Sequence, residues 1–169
     1  MRQGRGQEEA RGLVVDVARL AAGGEALRGE IPVALLDYDQ DDLLFHPAGP
    51  LRYDLFAERL DEELLVRGVV EEDFSCTCVR CGRDFDWTAR DGDISFSVEV
   101  APDAFADLTA ELRECIILSF PSNPLCKEDC KGLCPRCGAD LNLGPCGCGS
   151  SGEGDLRWGG LDALGGAER

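Results

Sequence analysis

The pattern of apolar and polar residues predicts mainly β structure in the first two thirds of the chain. The clearest alternation runs from Ile94 to Val100, where every second residue is apolar. Such a period of two is typical of a half-buried strand. The run 64–78 is rich in β-branched residues and predicts a longer strand with a bulge at Gly68. Together these segments predict an antiparallel sheet with strands at residues 13–20, 31–36, 51–55, 64–78, 84–89 and 94–100.

A helix is predicted after the last of these strands, over residues 107–118. Asp107 is expected to cap its N terminus, because a side-chain oxygen there can accept a backbone N–H. Cys115 lies on the apolar face, and we interpret it as a small core residue. The residues that recur with helical spacing on this face are Leu108, Leu112, Cys115 and Ile116.

The elements together predict an α+β fold: an antiparallel β-sheet with one main helix and a C-terminal cysteine-rich zinc-knuckle segment. A chain of 169 residues has room for one domain of ordinary size with an appendage. Four parts are predicted: a disordered tail at 1–11, an α+β domain at 12–122, a cysteine-rich zinc-binding segment at 123–150, and a flexible C-terminal tail at 151–169 with a short helix at 155–164.

The charge of the chain limits its partners. Asp and Glu number 33 against 17 Lys and Arg, which gives a formal net charge of −16. Generic binding to nucleic acid needs Lys and Arg to neutralise phosphates, so any RNA contact must be local. No apolar run reaches the roughly 18 residues of a membrane span. No signal peptide is recognisable, and we expect the bacterial cytoplasm or an equivalent compartment.

Six of the ten cysteines lie in the stretch 124–149, which is too short and too polar to bury a core of its own. In a reducing compartment, Cys-x-x-Cys pairs more often indicate metal or redox chemistry than disulfides. Zn²⁺ is bound tetrahedrally by four such sulfurs, and Gly138 can supply the positive φ of a zinc-knuckle turn. A local set of four metal ligands is therefore predicted, consisting of Cys134, Cys137, Cys146 and Cys148.

A second set of ligands is predicted from more distant parts of the chain. Its first pair stands at the end of the predicted β-hairpin, and the sheet and helix would bring the other pair to it. Cys76 could replace one of these ligands or be a small buried residue, and the sequence leaves both open. Four thiolates close the coordination sphere, so two Zn²⁺ ions with structural roles are expected. The predicted ligands of this set are Cys78, Cys81, Cys126 and Cys130.

Basic side chains are interleaved with the cysteines at Lys127, Lys131 and Arg136. They could contact phosphates or a partner, or they could only solvate the segment and balance thiolate charge. His46 is the only histidine and stands far from every cysteine pair in sequence. We expect it to have a surface or loop position.

The motifs resemble those of one known family. They are CVRC at 78–81, ILSFP at 117–121, PLCKEDCKGLCPRCGADLN at 124–142, CGC at 146–148 and DLRW at 155–158. Over roughly residues 50–165, the chain resembles the YceD family of large ribosomal RNA subunit accumulation proteins, which also has plastid relatives. The resemblance implies a non-enzymatic factor that supports 23S rRNA accumulation and large-subunit biogenesis. It implies 23S rRNA or a large-subunit ribosomal protein as partner, with no membrane and no small-molecule substrate.

Other function classes remain to be weighed against this expectation. The acidic surface suits an adaptor or chaperone that receives a basic ribosomal protein. A thiol–disulfide oxidoreductase using Cys134 and Cys137 is less favoured, because further cysteines surround the pair and no thioredoxin-like βαβ pattern is visible. A zinc hydrolase or deaminase would need an open coordination position and a nearby base, and no matching histidine motif is present.

Overall fold

The computed structural model describes residues 12–39 and 44–148. The predicted tails at 1–11 and 151–169, including the helix expected at 155–164, lie outside the described residues. No helix in the described ranges has the length and apolar character needed to cross a membrane. The elements in these ranges are β1 (Val14–Asp16), β2 (Glu25–Ile31), β3 (Phe45–Pro47), β4 (Leu51–Leu60), β5 (Glu63–Thr77), β6 (Asp84–Glu99), β7 (Phe105–Asp107) and α1 (Thr109–Leu118).

The main sheet is antiparallel, as predicted, and is built around β5. One edge of β5 pairs with β4 and then β3, and the other pairs with β6 from Glu63 to Thr77. Strand β2 extends the sheet beyond β4, while β1 and β7 form a separate two-stranded sheet. The predicted bulge is confirmed, because the β5–β6 register shifts between Gly68 and Val70. A Cβ atom at Gly68 would lie 2.2 Å from the Asp54 carbonyl oxygen, so glycine is needed there.

The core lies between this sheet and α1, which packs its buried residues Leu112 and Ile116 toward β5 and β6. Phe120, just after the helix, stacks on Phe45 with ring centroids 4.2 Å apart and meets Phe74 edge-on at 4.9 Å. Burying a side chain of this size contributes on the order of 2 kcal/mol. The chain therefore leaves the helix from a fixed point before it enters the cysteine-rich segment.

Most of the predicted strands differ in extent from the observed ones, and the strand predicted at 51–55 continues to Leu60 as β4. Only Val14–Asp16 of the run 13–20 is a strand, and a 3₁₀ turn follows at Val17–Arg19. The run 31–36 is not a strand, because β2 lies upstream at Glu25–Ile31 and Val33–Leu35 forms a 3₁₀ turn. Pro32 separates the two and has no N–H to donate to a ladder. The predicted strands at 84–89 and 94–100 are one continuous strand, β6.

The helix begins later than predicted. Leu108 occupies the N-cap position, and α1 starts at Thr109. The Asp107 carboxylate still accepts the backbone N–H of Thr109 at 3.0 Å, so it serves the helix terminus from one residue further out. His46 has the predicted exposed position, but it lies in strand β3 and not in a loop.

Candidate metal centres

The turn between β5 and β6 holds the first pair of cysteines. The Cys78 N–H donates to the Arg83 carbonyl at 2.9 Å, and the Gly82 N–H donates to the Cys78 carbonyl at 2.8 Å. Gly82 has φ +66°, a conformation that glycine adopts without steric cost. The hairpin thus ends in a tight loop whose shape is set by its backbone.

The same turn recurs in the cysteine-rich segment. The Cys134 N–H donates to the Ala139 carbonyl at 2.8 Å, and the Gly138 N–H donates to the Cys134 carbonyl at 2.9 Å. Gly138 has φ +72°, so the positive φ expected from the sequence is confirmed. The chain therefore builds the Cys-x-x-Cys-Gly turn twice with one hydrogen-bond pattern.

The hairpin cluster consists of Cys78, Cys81, Cys126 and Cys130, whose sulfur atoms all lie within 4.8 Å of one another. The Sγ atoms of Cys78 and Cys130 are 3.8 Å apart, and those of Cys81 and Cys126 are 3.7 Å apart. Zinc–sulfur bonds of about 2.3 Å in a tetrahedron give sulfur–sulfur distances of about 3.8 Å. The cluster therefore has the dimensions of a four-thiolate metal site.

The loop cluster consists of Cys134, Cys137, Cys146 and Cys148, whose sulfur atoms also lie within 4.8 Å of one another. The Sγ atoms of Cys134 and Cys146 are 3.4 Å apart. Cys137 is exposed, whereas three of the four cysteines of the hairpin cluster are buried. Both clusters could hold a metal ion, and the loop cluster is the more open to solvent.

Backbone contacts fasten the cysteine-rich segment to the hairpin turn. The Val79 N–H donates to the Pro124 carbonyl at 3.1 Å, and the Leu133 N–H donates to the Arg80 carbonyl at 3.1 Å. The Arg80 guanidinium also donates to the Cys130 carbonyl at 2.9 Å. These bonds hold the two halves of the hairpin cluster together beside the sulfur atoms.

Asn142 follows Cys137 in the chain and contacts the hairpin cluster, a role that sequence reasoning missed. Its side-chain Nδ2 donates to the Cys130 sulfur at 3.5 Å, and its Oδ1 accepts the Lys131 backbone N–H at 2.9 Å. Asp140 accepts the Asn142 N–H at 2.8 Å and also pairs with Arg83. The Asp-x-Asn spacing between the two cysteine pairs, typical of side-chain capped turns, was the available signal.

Contacts within the hairpin cluster shift the pKa values of its thiols in opposite directions. Burial works against ionisation of Cys78, but nearby backbone N–H groups outweigh it and lower the pKa of its thiol to about 6. Burial and the neighbouring thiols raise the pKa of Cys126 to about 12.

The loop cluster repeats this contrast. Backbone N–H groups lower the pKa of Cys134 to about 6, while neighbouring thiols, chiefly Cys137, raise the pKa of Cys148 to about 12. Thiolates so close together repel one another, and a metal ion removes that cost for all four.

The structure also places the remaining predicted residues. Cys76 is fully buried in the sheet core, which matches its interpretation as a small core residue, and neither cluster includes it. Cys115 is half-buried against the same core. Lys127, Lys131 and Arg136 are exposed, and the Lys127 ammonium lies 3.6 Å from the Asp129 carboxylate.

The fold and its two clusters define a class: an α+β protein with two four-cysteine groups able to hold metal ions. Residues 90–165 match the model of the large ribosomal RNA subunit accumulation protein YceD. The predicted resemblance to the YceD family is confirmed over this part of the chain. The match is shorter than the predicted 50–165, and Cys78 and Cys81 precede it.

Curated relatives extend the comparison. An uncharacterized protein of Mycobacterium leprae is 30% identical over 116 residues, which cover 57% of this chain and 51% of that protein. An uncharacterized protein of Mycobacterium bovis is 29% identical over 161 residues, covering 79% and 72% of the two chains. The chain thus spans about half of the first relative's length.

One relative, from a plant, has a name that describes a function. The large ribosomal RNA subunit accumulation protein YCED homolog 1 of Arabidopsis thaliana, described as chloroplastic, is 36% identical over 58 residues. These cover 34% of this chain and 18% of that protein. No solved structure matches the chain.

Proposed function

We propose that the protein is a non-enzymatic factor that supports 23S rRNA accumulation and large ribosomal subunit biogenesis in the cytoplasm. It acts as a zinc-stabilised module that binds rRNA or a ribosomal partner. The observation that carries this proposal is the pair of four-sulfur clusters, one of which lies wholly within the segment that matches the YceD family. Zinc in closed four-thiolate sites stabilises structure and leaves no position for a reactive water.

The identity and number of the metal ions are tested by elemental analysis of the purified chain. About two zinc ions per chain are expected, one for each four-sulfur cluster. A C134S/C137S variant should retain about one, and a truncation ending at Ser122 should retain none, because it keeps only Cys78 and Cys81 of the eight ligands. Iron in place of zinc, or two zinc ions in the truncated chain, would contradict the assignment.

The role in rRNA accumulation is tested in cells. Deletion of the gene should lower the ratio of 23S to 16S rRNA and of large to small subunits in sucrose gradients. The wild-type chain should restore both ratios, and a C126S/C130S variant should not, because the hairpin cluster would lose half of its sulfurs. A variant with S122A and N123A is the control, since both residues are exposed and belong to neither cluster. Unchanged rRNA ratios after deletion would contradict the proposal.

Direct contact with rRNA would involve the exposed basic side chains Lys127, Lys131 and Arg136. Filter binding with 23S rRNA fragments should weaken when all three are replaced by Ala. A variant with R28A, R59A and R67A loses the same charge from the main sheet and serves as the control. Equal loss in both variants would indicate only a general charge effect, since phosphate attraction acts over distance.

The second candidate function is an acidic adaptor or chaperone for a basic ribosomal protein. The formal net charge of −16 favours it, because an acidic surface attracts basic proteins and repels bare RNA. A pull-down with purified, metal-loaded protein at moderate salt should retain one or a few large-subunit proteins. If no ribosomal protein is retained, the adaptor function is contradicted and direct binding to rRNA is favoured.

A thiol–disulfide oxidoreductase is the least favoured candidate. Cys134 and Cys137 lie in a turn and share their cluster with two further sulfurs. Redox-active pairs instead stand at helix N termini, where the dipole stabilises one thiolate. The metal-loaded protein is expected to show no insulin-reducing activity, and measurable turnover would revive this candidate.

A further inference from the structure

A cleft of about 410 Å³ lies between α1 and β6, away from both cysteine clusters. We call it the α1–β6 groove. Its apolar part is formed by Ile94 and Phe96 on β6 and by Leu118 at the end of α1. Leu118 is 79% exposed, although it closes a helix whose other large apolar residues mostly face the core. An exposed leucine beside a half-buried phenylalanine and a cleft indicates a contact surface.

Acidic side chains surround this apolar part. Asp91 and Asp93 line the groove from β6, and Glu111 and Glu114 line it from α1. The residues that line the groove include no Lys, Arg or His. One carboxylate oxygen of Glu111 is buried without a hydrogen-bond partner among the described residues. The groove lining therefore carries negative charge that no side chain of the lining neutralises.

The negative charge of these carboxylates acts on Cys115 inside the groove. Cys115 lines it from α1, and its thiol has a pKa raised first by burial and then by the charges of Asp91, Glu114 and Glu111. Three of the four acidic side chains therefore act on one point of the groove. Their combined charge favours a cationic occupant and repels the phosphates of RNA.

The groove also includes an open sheet edge. Within the described residues, β6 pairs only with β5, so its opposite edge has no neighbouring strand. Ile94, Ser95 and Phe96 all line the groove, although consecutive residues of a strand point to opposite faces of the sheet. This is expected where a groove runs along the edge of a sheet. An edge of this kind can accept an added strand, whose main chain supplies the hydrogen bonds and whose alternate side chains enter the cleft.

We infer that the α1–β6 groove binds an extended basic segment of a partner protein in which apolar residues alternate with Lys or Arg. The apolar side chains pack against Phe96 and Leu118, and the cationic side chains meet the surrounding carboxylates. A metal cation alone would leave the apolar part uncovered. This inference rests on the adaptor form of the proposed function and names the surface at which the basic partner binds.

The probe is a fluorescent synthetic decapeptide of alternating Lys and Leu, titrated with the full-length, zinc-loaded protein and followed by anisotropy. Its binding should weaken as salt is raised, because the contacts are partly exposed charge pairs. A Lys/Ser peptide should bind at least about tenfold more weakly, since it lacks the apolar contacts. A Glu/Leu peptide should not bind. Equal binding of the Lys/Ser and Lys/Leu peptides would overturn the inference.

Matched variants locate the site. A D91N/D93N/E114Q variant and an L118S variant should each weaken Lys/Leu peptide binding, by about tenfold for the triple change. An E62Q/E63Q/E99Q variant removes the same charge from a different acidic cleft and should change binding less than about twofold. All three variants change exposed or half-buried side chains, and thermal unfolding verifies that each is folded.

Two further results would also overturn the inference. Equal weakening in both triple variants would show attraction to the whole acidic molecule and no particular groove. Displacement of the peptide by millimolar Mg²⁺ at constant ionic strength would indicate a cation site. Peptide binding is measured without ribosomes, so its failure is distinct from an unchanged 23S rRNA ratio, which tests the proposed function alone.

Discussion

Glu72 is the one polar side chain in the described residues that lies fully inside the core. One of its carboxylate oxygens accepts the Tyr38 hydroxyl, and the other has no partner among the described residues. Burial raises the pKa of Glu72 to about 7, although the hydrogen bond from Tyr38 acts in the opposite direction. The folded protein therefore binds this proton more tightly than the unfolded chain does.

The pH dependence of stability follows from this difference. A group whose pKa is raised in the folded state contributes stability that is fully present below its unfolded pKa. This stability is lost as pH rises through the folded pKa, which is about 7 for Glu72. The free energy of unfolding should fall by about 1 kcal/mol between pH 6 and pH 8, measured by urea denaturation with zinc present. E72Q should remove this slope, and E63Q, on the same strand but exposed, should keep it. An unchanged slope in E72Q would assign it to other groups.

Asn142 acts on the sulfur of Cys130 without belonging to either cluster. An N142A variant should keep both metal ions but release the ion of the hairpin cluster to a chromogenic chelator roughly tenfold faster. Side chains that hydrogen-bond to metal ligands affect metal affinity on this scale. N123A, an exposed asparagine in the same segment, is the control. Equal release from N142A and the wild type would limit Asn142 to shaping its own turn.

At the residue level, short repeats of Cys and Gly predicted the grouping of the loop cluster and the positive φ of Gly138. The grouping of the hairpin cluster also required the predicted sheet and helix, and metal binding by all eight cysteines stays a prediction. The buried position of Glu72 could not be predicted, because it depends on Tyr38 arriving from another part of the chain. The contact of Asn142 with Cys130 could not be predicted either, because it depends on how the chain folds back between residues 130 and 142.

At the scale of elements, the β5–β6 hairpin sets the position of the hairpin cluster. A G82A substitution places a Cβ at φ +66° and should destabilise the protein by about 1 kcal/mol, with weaker retention of the metal. G92A on β6 is the matched control, because a Cβ there meets no atom within 4 Å. Equal unfolding midpoints for the two variants in denaturant would show that the turn is not strained.

Sequence patterns predicted the long strands better than the short ones. Strand β5 carries the β-branched residues Val66, Val69, Val70 and Thr77, and a bulge glycine marks its one irregularity. Strand β2 was missed because its sequence, EALRGEI, has few apolar residues and only Ile31 is buried. Edge strands such as this are held mainly by backbone pairing, which leaves little trace in composition.

At the scale of the whole molecule, apolar packing is concentrated in the sheet and α1, and we propose that metal binding stabilises the cysteine-rich segment. The sheet and α1 share one continuous apolar core, whereas the cysteine-rich segment has only a small cluster around its sulfurs. Removal of metal by a strong chelator should therefore expose residues 124–148 to limited proteolysis while far-UV circular dichroism retains the sheet signal. The same chelator saturated with zinc is the control. Loss of the sheet signal together with the segment would show that the two fold as one unit.

The order of the cysteines along the chain has a consequence for biosynthesis. A ribosome delivers Cys78 and Cys81 well before Cys126 and Cys130, whereas the second set of four is completed within a short final stretch. The nascent polypeptide thus carries two unmatched thiols through the translation of α1. A four-thiolate site made from both pairs can close only after Cys130 has been synthesised, so zinc bound earlier would be held by at most two of its sulfurs.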